Sequence, residues 1–239
     1  MKYYVAIEKE SSSFDLYREI WASDDVHGIR ADTMDEGIEK AIEIENARGK
    51  ELYFISIVAD DINYIPQLKT LDNATNAPIL VATFKYNEDE HHQVLDNGGD
   101  AYAGYRKEML DNVNGVKMVI QKIEQWARKR EQMTETLSYN GMILKPTQRN
   151  AVFINDHEVE LTRTLFDLLY YLVLNQGVVL SFEKIYDHVY FGSISHDPTT
   201  VVKSAVKRIR KRISEVTDAD YIQSIRGYGY RIAPRFDKK

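Results

Sequence analysis

The chain has 239 residues, enough for two domains of ordinary size, and its 44% hydrophobic content is enough to give each a core. No apolar run approaches the ~18 residues of a membrane helix. Cys is absent, which excludes disulfides, thiolate metal sites and thiol redox sensing, and fits a cytoplasmic protein with no membrane partner. The formal charge of −6 is unevenly spread. Residues 1–137 hold 16 Lys/Arg against 26 Asp/Glu, net −10, and residues 138–239 hold 15 against 11, net +4, so one half is suited to a polyanion and the other is not.

The first half alternates strand and helix signals. The opening apolar run at residues 3–7 reads as a strand, being too short for a signal peptide. Thr33-Met34-Asp35-Glu36 is a capping box, followed by Ile38, Ala41 and Ile42 at helical spacing, with Gly49 placed to end the helix. Residues 53–58 form a buried strand, as do residues 79–83 after Pro78. A short strand at 101–104 precedes a helix that carries Val113, Val116, Val119, Ile120 and Ile123 on one side. Strands alternating with helices imply a parallel sheet covered on both faces.

Residues 125–137 are polar and charged and read as a helix end running into a linker, which divides the chain into domains at 1–124 and 138–239. The triplet Arg128-Lys129-Arg130 reads as a solvated helix end. Beyond it the pattern changes. Residues 137–161 contain strand pieces with a hairpin at Asn155-Asp156-His157, since Asx residues tolerate positive φ. Thr162 caps a helix bearing Leu165, Phe166, Leu168, Leu169 and Leu172, and Ser181 caps a second with Ile185 and Val189. Asp197-Pro198 opens a third, Asp as N-cap and Pro as first helical residue.

That third helix, residues 199–213, carries six Lys/Arg and no acid. At 100° per residue Val202, Val206, Ile209 and Ile213 fall on one buried line. Thr200, Ser204, Lys207, Arg208 and Lys211 fall opposite, with Lys203, Arg210 and Arg212 on the flanks. Cations with no acid to pair at i,i+4 make a poor solvated face and a good one for double-stranded DNA. In the major groove Arg and Lys read guanine edges, while flanking charges hold phosphates. The hairpin at 222–232 follows, with Gly227 and Gly229 permitting a tight backbone and Arg226 and Tyr228 near its tip. No helix follows Gly227-x-Gly229, so it is not a nucleotide-binding loop.

The stretches Val159-Glu160-Leu161-Thr162, Phe166-Asp167-Leu168-Leu169, Gly177-Val178-Val179-Leu180-Ser181, Val206-Lys207-Arg208-Ile209-Arg210-Lys211-Arg212-Ile213 and Ile225-Arg226-Gly227-Tyr228-Gly229-Tyr230-Arg231 resemble the effector domain of OmpR/PhoB-type response regulators over residues 138–235. The resemblance implies a four-stranded N-terminal sheet, a winged helix-turn-helix with its recognition helix at 199–213, a wing at 222–232, and a loop at 190–196 that meets RNA polymerase. It places Arg208 and Lys203 nearest bases, Thr200 and Arg210 nearest phosphates, and Arg226 in the minor groove. The family usually has an acid where Lys203 stands and His where Ala205 stands, which leaves the operator sequence open.

Residues 1–123 resemble, in degraded form, a phosphoacceptor receiver: a doubly wound (βα)5 α/β fold on a five-stranded parallel sheet. Ser56 takes the place of the phosphorylated Asp, Glu8-Lys9 that of the acidic Mg²⁺ pair, and Tyr105 that of the Lys, while Thr83 and Tyr102 match the switch Thr and aromatic. A neutral hydroxyl without a general base is a poor phosphoryl acceptor and a poor Mg²⁺ ligand. The expectation is a pseudo-receiver that neither binds Mg²⁺ tightly nor is phosphorylated. Its dimer would lean on packing, because Ala101 and Gly115 stand where the family pairs an acid with an Arg.

His91-His92 lies in an acidic stretch that reads as a solvated helix start, and adjacent helical residues do not share a metal. No Ser-His-Asp, P-loop or paired-carboxylate constellation is present, so neither an enzyme nor a cofactor is implied. The leading reading is a phosphorylation-independent transcription regulator binding tandem half-sites as a homodimer. The alternatives are a phosphorylation-switched regulator with a displaced acceptor at Asp60 or Asp61, and a ligand sensor using the receiver-like pocket.

Overall fold

The computed structural model describes residues 1–9, 12–20, 26–59, 62–104, 121, 124–125, 128–129, 132–146, 151–190 and 197–234. The predicted helix at 113–123, residue 121 apart, lies outside the described residues, as do Tyr105, Asp60, Asp61 and the loop residues 191–196. The chain divides into two compact units, Met1–Arg128 and Lys129–Lys239.

The first unit is built on one parallel sheet of five strands: β1 (Lys2–Ile7), β2 (Val26–Ala31), β3 (Glu51–Val58), β4 (Ile79–Thr83) and β5 (Ala101–Gly104), in the order β2-β1-β3-β4-β5. Between them run α1 (Ser12–Ile20), α2 (Met34–Asn46), α3 (Ile65–Ala74) and α4 (Glu88–Asp96). Strand side chains alternate between faces, and two cores result. Val5, Ile7, Ile55, Ile57, Ile79 and Val81 pack with Met34, Ala41 and Ile44 of α2 and Leu68 and Leu71 of α3. On the other face Tyr4, Ala6 and Phe54 pack with Tyr17 of α1, the Tyr4 and Phe54 rings stacked at 5.1 Å. At the start of α2 the Thr33 hydroxyl accepts from the Glu36 amide at 3.3 Å. Glu36 reaches back to the amide of Asp32, one residue beyond the usual partner in a capping box.

The second unit opens with an antiparallel sheet, β6 (Leu137–Tyr139), β7 (Met142–Lys145), β8 (Ala151–Ile154) and β9 (His157–Val159), in chain order. Its two described tight turns are Asn140-Gly141 and Asn155-Asp156, all four residues at positive φ, the geometry that matches strand twist in two-residue hairpins. Three helices follow: α5 (Arg163–Leu174), α6 (Phe182–Tyr190) and α7 (Pro198–Ser214). A second sheet of β10 (Leu180–Ser181), β11 (Ile222–Ile225) and β12 (Gly229–Ile232) runs in the order β10-β12-β11.

The caps are a partial match to expectation. Ser181 Oγ accepts from the Lys184 amide, and Asp197 from the Thr200 amide with Pro198 in the first turn. Thr162 occupies the N-cap position of α5, but its hydroxyl is buried and makes no capping bond. Thr162 contributes its carbonyl instead, which accepts from the Phe166 amide at 2.9 Å, at a helix start where Arg163, Thr164 and Asp167 are all buried.

Candidate nucleic-acid interface and the receiver-like rim

On α7 the line Val202, Val206, Ile209 and Ile213 is buried, joined by Val201 and Ala205. Lys203, Lys207 and Lys211 are exposed, and Ser204 and Arg208 are half-buried between them. Arg208 Nε donates to the Ser204 carbonyl at 3.4 Å, which lays its guanidinium along the helix. Lys203 lies over the Phe182 ring at 5.3 Å, a contact that fixes its stem while leaving the ammonium at the surface.

Two positions named for phosphate contact are engaged within the unit. The Thr200 hydroxyl donates to Asp197 Oδ2 at 2.5 Å, so it is part of the cap. That bond and the Thr200 amide hold the Asp197 carboxyl below the usual carboxylate range. Arg210 turns away from the outer face, donating to the Ile222 carbonyl and to Ser224 Oγ, with Asp220 at 3.6 Å. Its helix position left it free to turn either way; the wing beside it supplies acceptors on one side.

The wing is β11–β12 with its turn at residues 226–228. Gly227 has φ +71, the left-handed region. Gly229 is required for a different reason: a Cβ there would run into the Leu180 carbonyl, where β10 pairs with β12. Arg226 and Tyr228 are exposed at the tip, and Tyr228 returns its carbonyl to the Phe182 amide at 3.1 Å.

Among the described residues of the first unit, Ser56, Glu8 and Thr83 do not converge at the rim of the sheet. Ser56 pairs with Ala6 and Leu80. It therefore lies two residues short of Glu8 and three short of Thr83, roughly 7–10 Å along the strands. It is buried in mid-strand, and the residue level with Thr83 is Ala59. Glu8 is buried, and its Oε1 accepts from the Phe14 amide in the first turn of α1 at 2.8 Å. Arg30 lies against the carbonyls that follow β1, with Nε donating to the Glu8 carbonyl and Nη2 to the Lys9 carbonyl and Asp32. A carboxylate spent on a helix N-terminus and a guanidinium over the loop carbonyls do not fit Mg²⁺, which needs converging oxygen ligands. Among the described residues no group of three or more His, Asp or Glu could hold a metal ion.

The switch positions are tied down. Thr83 is buried, its hydroxyl 3.4 Å from both the amide and the carbonyl of Lys85. Tyr102 is fully buried and donates to Glu90 Oε2 at 2.9 Å, while the Asn87 amide donates to its hydroxyl oxygen. Tyr64 donates to the other Glu90 oxygen at 2.5 Å. His91 is fully buried too, stacked on Tyr102 with centroids 5.4 Å apart and hydrogen-bonded through Nδ1 to the Tyr86 hydroxyl at 2.9 Å. The reading of residues 87–92 as a solvated helix start is corrected. Asn87 does cap α4 and its acids do line the first turn. Glu90 and His91, however, face a cluster of tyrosines drawn from three other places in the chain.

Residues 156–232 match the family described as "Transcriptional regulatory protein, C terminal". The second unit is an OmpR/PhoB-type winged helix. Over 196 residues the chain is 28% identical to the response regulator ArlR of Staphylococcus epidermidis, covering 82% of this chain and 83% of that protein. It is 25% identical over 199 residues to ArlR of Staphylococcus aureus, covering 82% and 84%. A solved structure of a RitR mutant matches with a TM-score of 0.72 at 16% identity, over 98% of this chain and 99% of its own, which shows a shared fold.

In the winged-helix unit, sequence reasoning also missed an internal anchor. Lys129, read as solvated, is largely buried: it donates to the His188 carbonyl at 2.9 Å and lies 4.0 Å from Asp167 Oδ2. His188 stacks on Tyr171 with centroids 3.5 Å apart. Burial, then the Lys129 ammonium, pushes its pKa down to about 4. Arg128 is exposed and pairs with Glu124, as a helix end would. Nothing in the triplet Arg128-Lys129-Arg130 distinguishes its middle member; the distinguishing feature is the buried Asp167 on α5. No helix among the described residues is long and apolar enough to cross a membrane.

Proposed function

We propose that the chain is a cytoplasmic, sequence-specific DNA-binding transcription regulator of the response-regulator type, acting as a homodimer on tandem half-sites without aspartyl phosphorylation. The observation that carries the DNA reading is the outer face of α7. Lys203, Lys207, Arg208 and Lys211 stand over a buried apolar line, with the Arg226 wing tip as a second cationic element. Its relatives named ArlR are response regulators, which agrees. Phosphorylation independence is supported by the rim. Ser56 is buried below it, Glu8 is committed to α1, Arg30 binds the Glu8 and Lys9 carbonyls, and Tyr102 is already held inward by Glu90.

One observation favours a second reading, a phosphorylation-switched regulator with a displaced acceptor. Ala59 is level with Thr83 in the ladder, so Asp60 and Asp61 come next along the chain. Two measurements separate the readings. Random-pool DNA selection with untreated protein, at two salt concentrations, should recover a bipartite site whose binding weakens steeply with salt; recovery of no site would overturn the DNA reading. Incubation with a small phosphodonor and Mg²⁺, followed by intact mass, should leave the mass unchanged. An acid-stable, base-labile adduct would establish the displaced acceptor instead.

A further inference from the structure

We infer that Arg210 is a positioning residue for DNA binding, one that fixes the wing against the recognition helix and does not itself hold a phosphate; this rests on the DNA-binding reading above. Arg210 stands on the flank of α7, roughly 70° from the centre of the buried line at 100° per residue. Its guanidinium is met there by three parts of the wing. Nη2 donates to the Ile222 carbonyl and to Ser224 Oγ, both on β11, the latter at 3.2 Å. Nε lies 3.6 Å from Asp220 in the approach to β11. The guanidinium carbon is 5.8 Å from the ring centroid of Tyr230 on β12.

Each contact argues for an internal role. Nη2 alone serves two acceptors while Nε faces Asp220 and the guanidinium plane lies by the Tyr230 ring. That arrangement needs the length and several nitrogens of an Arg, and the single nitrogen of a Lys does not reproduce it. Asp220 already supplies the anion that a phosphate would replace. The wing also needs such a tie. Two four-residue strands make a hairpin that is marginal by itself, and β11 is the outer strand of the β10-β12-β11 sheet. β12 is secured by pairing to β10, whereas Arg210 reaches β11 directly from α7. The distance between the major-groove face of α7 and the minor-groove tip at Arg226 is therefore set in part by this one side chain.

The test uses the full chain and the duplex recovered by selection, with binding followed by anisotropy over a range of salt and folding checked by thermal melting. Arg210→Lys keeps the charge and loses the separate nitrogens that face β11 and Asp220 together. It should weaken binding about tenfold, and Arg226→Ala should add little in its background, because the wing tip is already misplaced. Arg210→Lys within about twofold of wild type, or full additivity with Arg226→Ala, overturns the inference. Asp220→Asn supplies a second measurement without touching Arg210. Loss of a wing-side anchor should weaken binding, whereas a phosphate-binding Arg210 predicts tighter binding once a nearby negative charge is gone, and that result also overturns it. A wild-type chain that selects no duplex overturns the underlying DNA reading; wild-type binding with a silent Arg210→Lys overturns this inference alone.

Discussion

The Tyr102 hydroxyl donates to Glu90 Oε2 at 2.9 Å, and the same carboxylate takes a second hydrogen bond from Tyr64 on its other oxygen. One acid on α4 thereby joins the end of the sheet at β5 to the residue preceding α3. Glu90→Ala should destabilise the first unit by about 2–4 kcal/mol, because it removes the carboxylate that accepts from a fully buried phenol and from a second beside it. Tyr102→Phe should cost less, about 1 kcal/mol, since Glu90 keeps Tyr64 as a donor. Burial first, and the Glu90 hydrogen bond second, push the Tyr102 phenol above its ordinary value. A raised folded-state pKa means that this stability is intact below pH ~10 and is lost as pH rises from there toward the folded value. Urea denaturation of the full chain between pH 7 and 11 checks both the ranking and the sign.

Much of this architecture was legible in the sequence where one element carries its own signal. The line Val202, Val206, Ile209, Ile213 is a helical period, and Asp197-Pro198 announces its start; both are properties of contiguous residues. The five parallel strands were legible as short apolar runs except β2, an edge strand with no fully buried residue before Ala31. What was not legible depends on partners distant in the chain. Glu90 and His91 sit among acidic neighbours, and only Tyr64, Tyr86 and Tyr102 make them interior. Arg210 is indistinguishable from the other α7 cations until Ile222, Ser224 and Asp220 are beside it. Ser56 matched a motif position, but the ladder register decides which residue reaches the rim, and no local pattern encodes a register with two neighbouring strands.

His188 should titrate near pH 4. Its neutral form is favoured by burial and by the Lys129 ammonium, so the folded pKa is depressed from 6.5. Between pH 6.5 and 4 the unfolded chain binds a proton that the folded chain does not, and stability of the winged-helix unit falls as pH drops through that window. His188→Phe retains a ring to stack on Tyr171 and should flatten this part of the pH dependence. Lys129→Met should move the His188 midpoint back toward 6.5. Histidine proton chemical shifts followed by NMR read the midpoint directly, and a wild-type value at or above 6.5 would contradict the structure.

The two wing glycines should respond differently to Ala. Gly227 is surrounded by open space, so Gly227→Ala meets only the cost of a left-handed backbone, about 1–2 kcal/mol. Gly229→Ala drives a methyl group into the Leu180 carbonyl and must separate β12 from β10, costing about 3 kcal/mol. Because β10 ties the wing to the start of α6, Gly229→Ala should also lower DNA affinity, while Gly227→Ala should lower it less. Thermal melting and anisotropy on the same preparations give both orders.

On α7 the outward cations should separate by what they read. Lys207 and Lys211 are exposed and flexible, the chemistry of phosphate contacts. Replacing either with Ala should weaken binding to all duplexes alike and lower the slope of log K against log salt by about one. Arg208 is half-buried and steadied by the Ser204 carbonyl, so its guanidinium is oriented before DNA arrives. Arg208→Ala should cost about 1–3 kcal/mol on the selected site and much less on unrelated duplex, relaxing preference at one base position. A repeat selection with each variant distinguishes the two behaviours: an unchanged motif for Lys207→Ala and one degenerate position for Arg208→Ala. The reverse pattern would move base reading to the exposed lysines and leave Arg208 as a helix-surface residue.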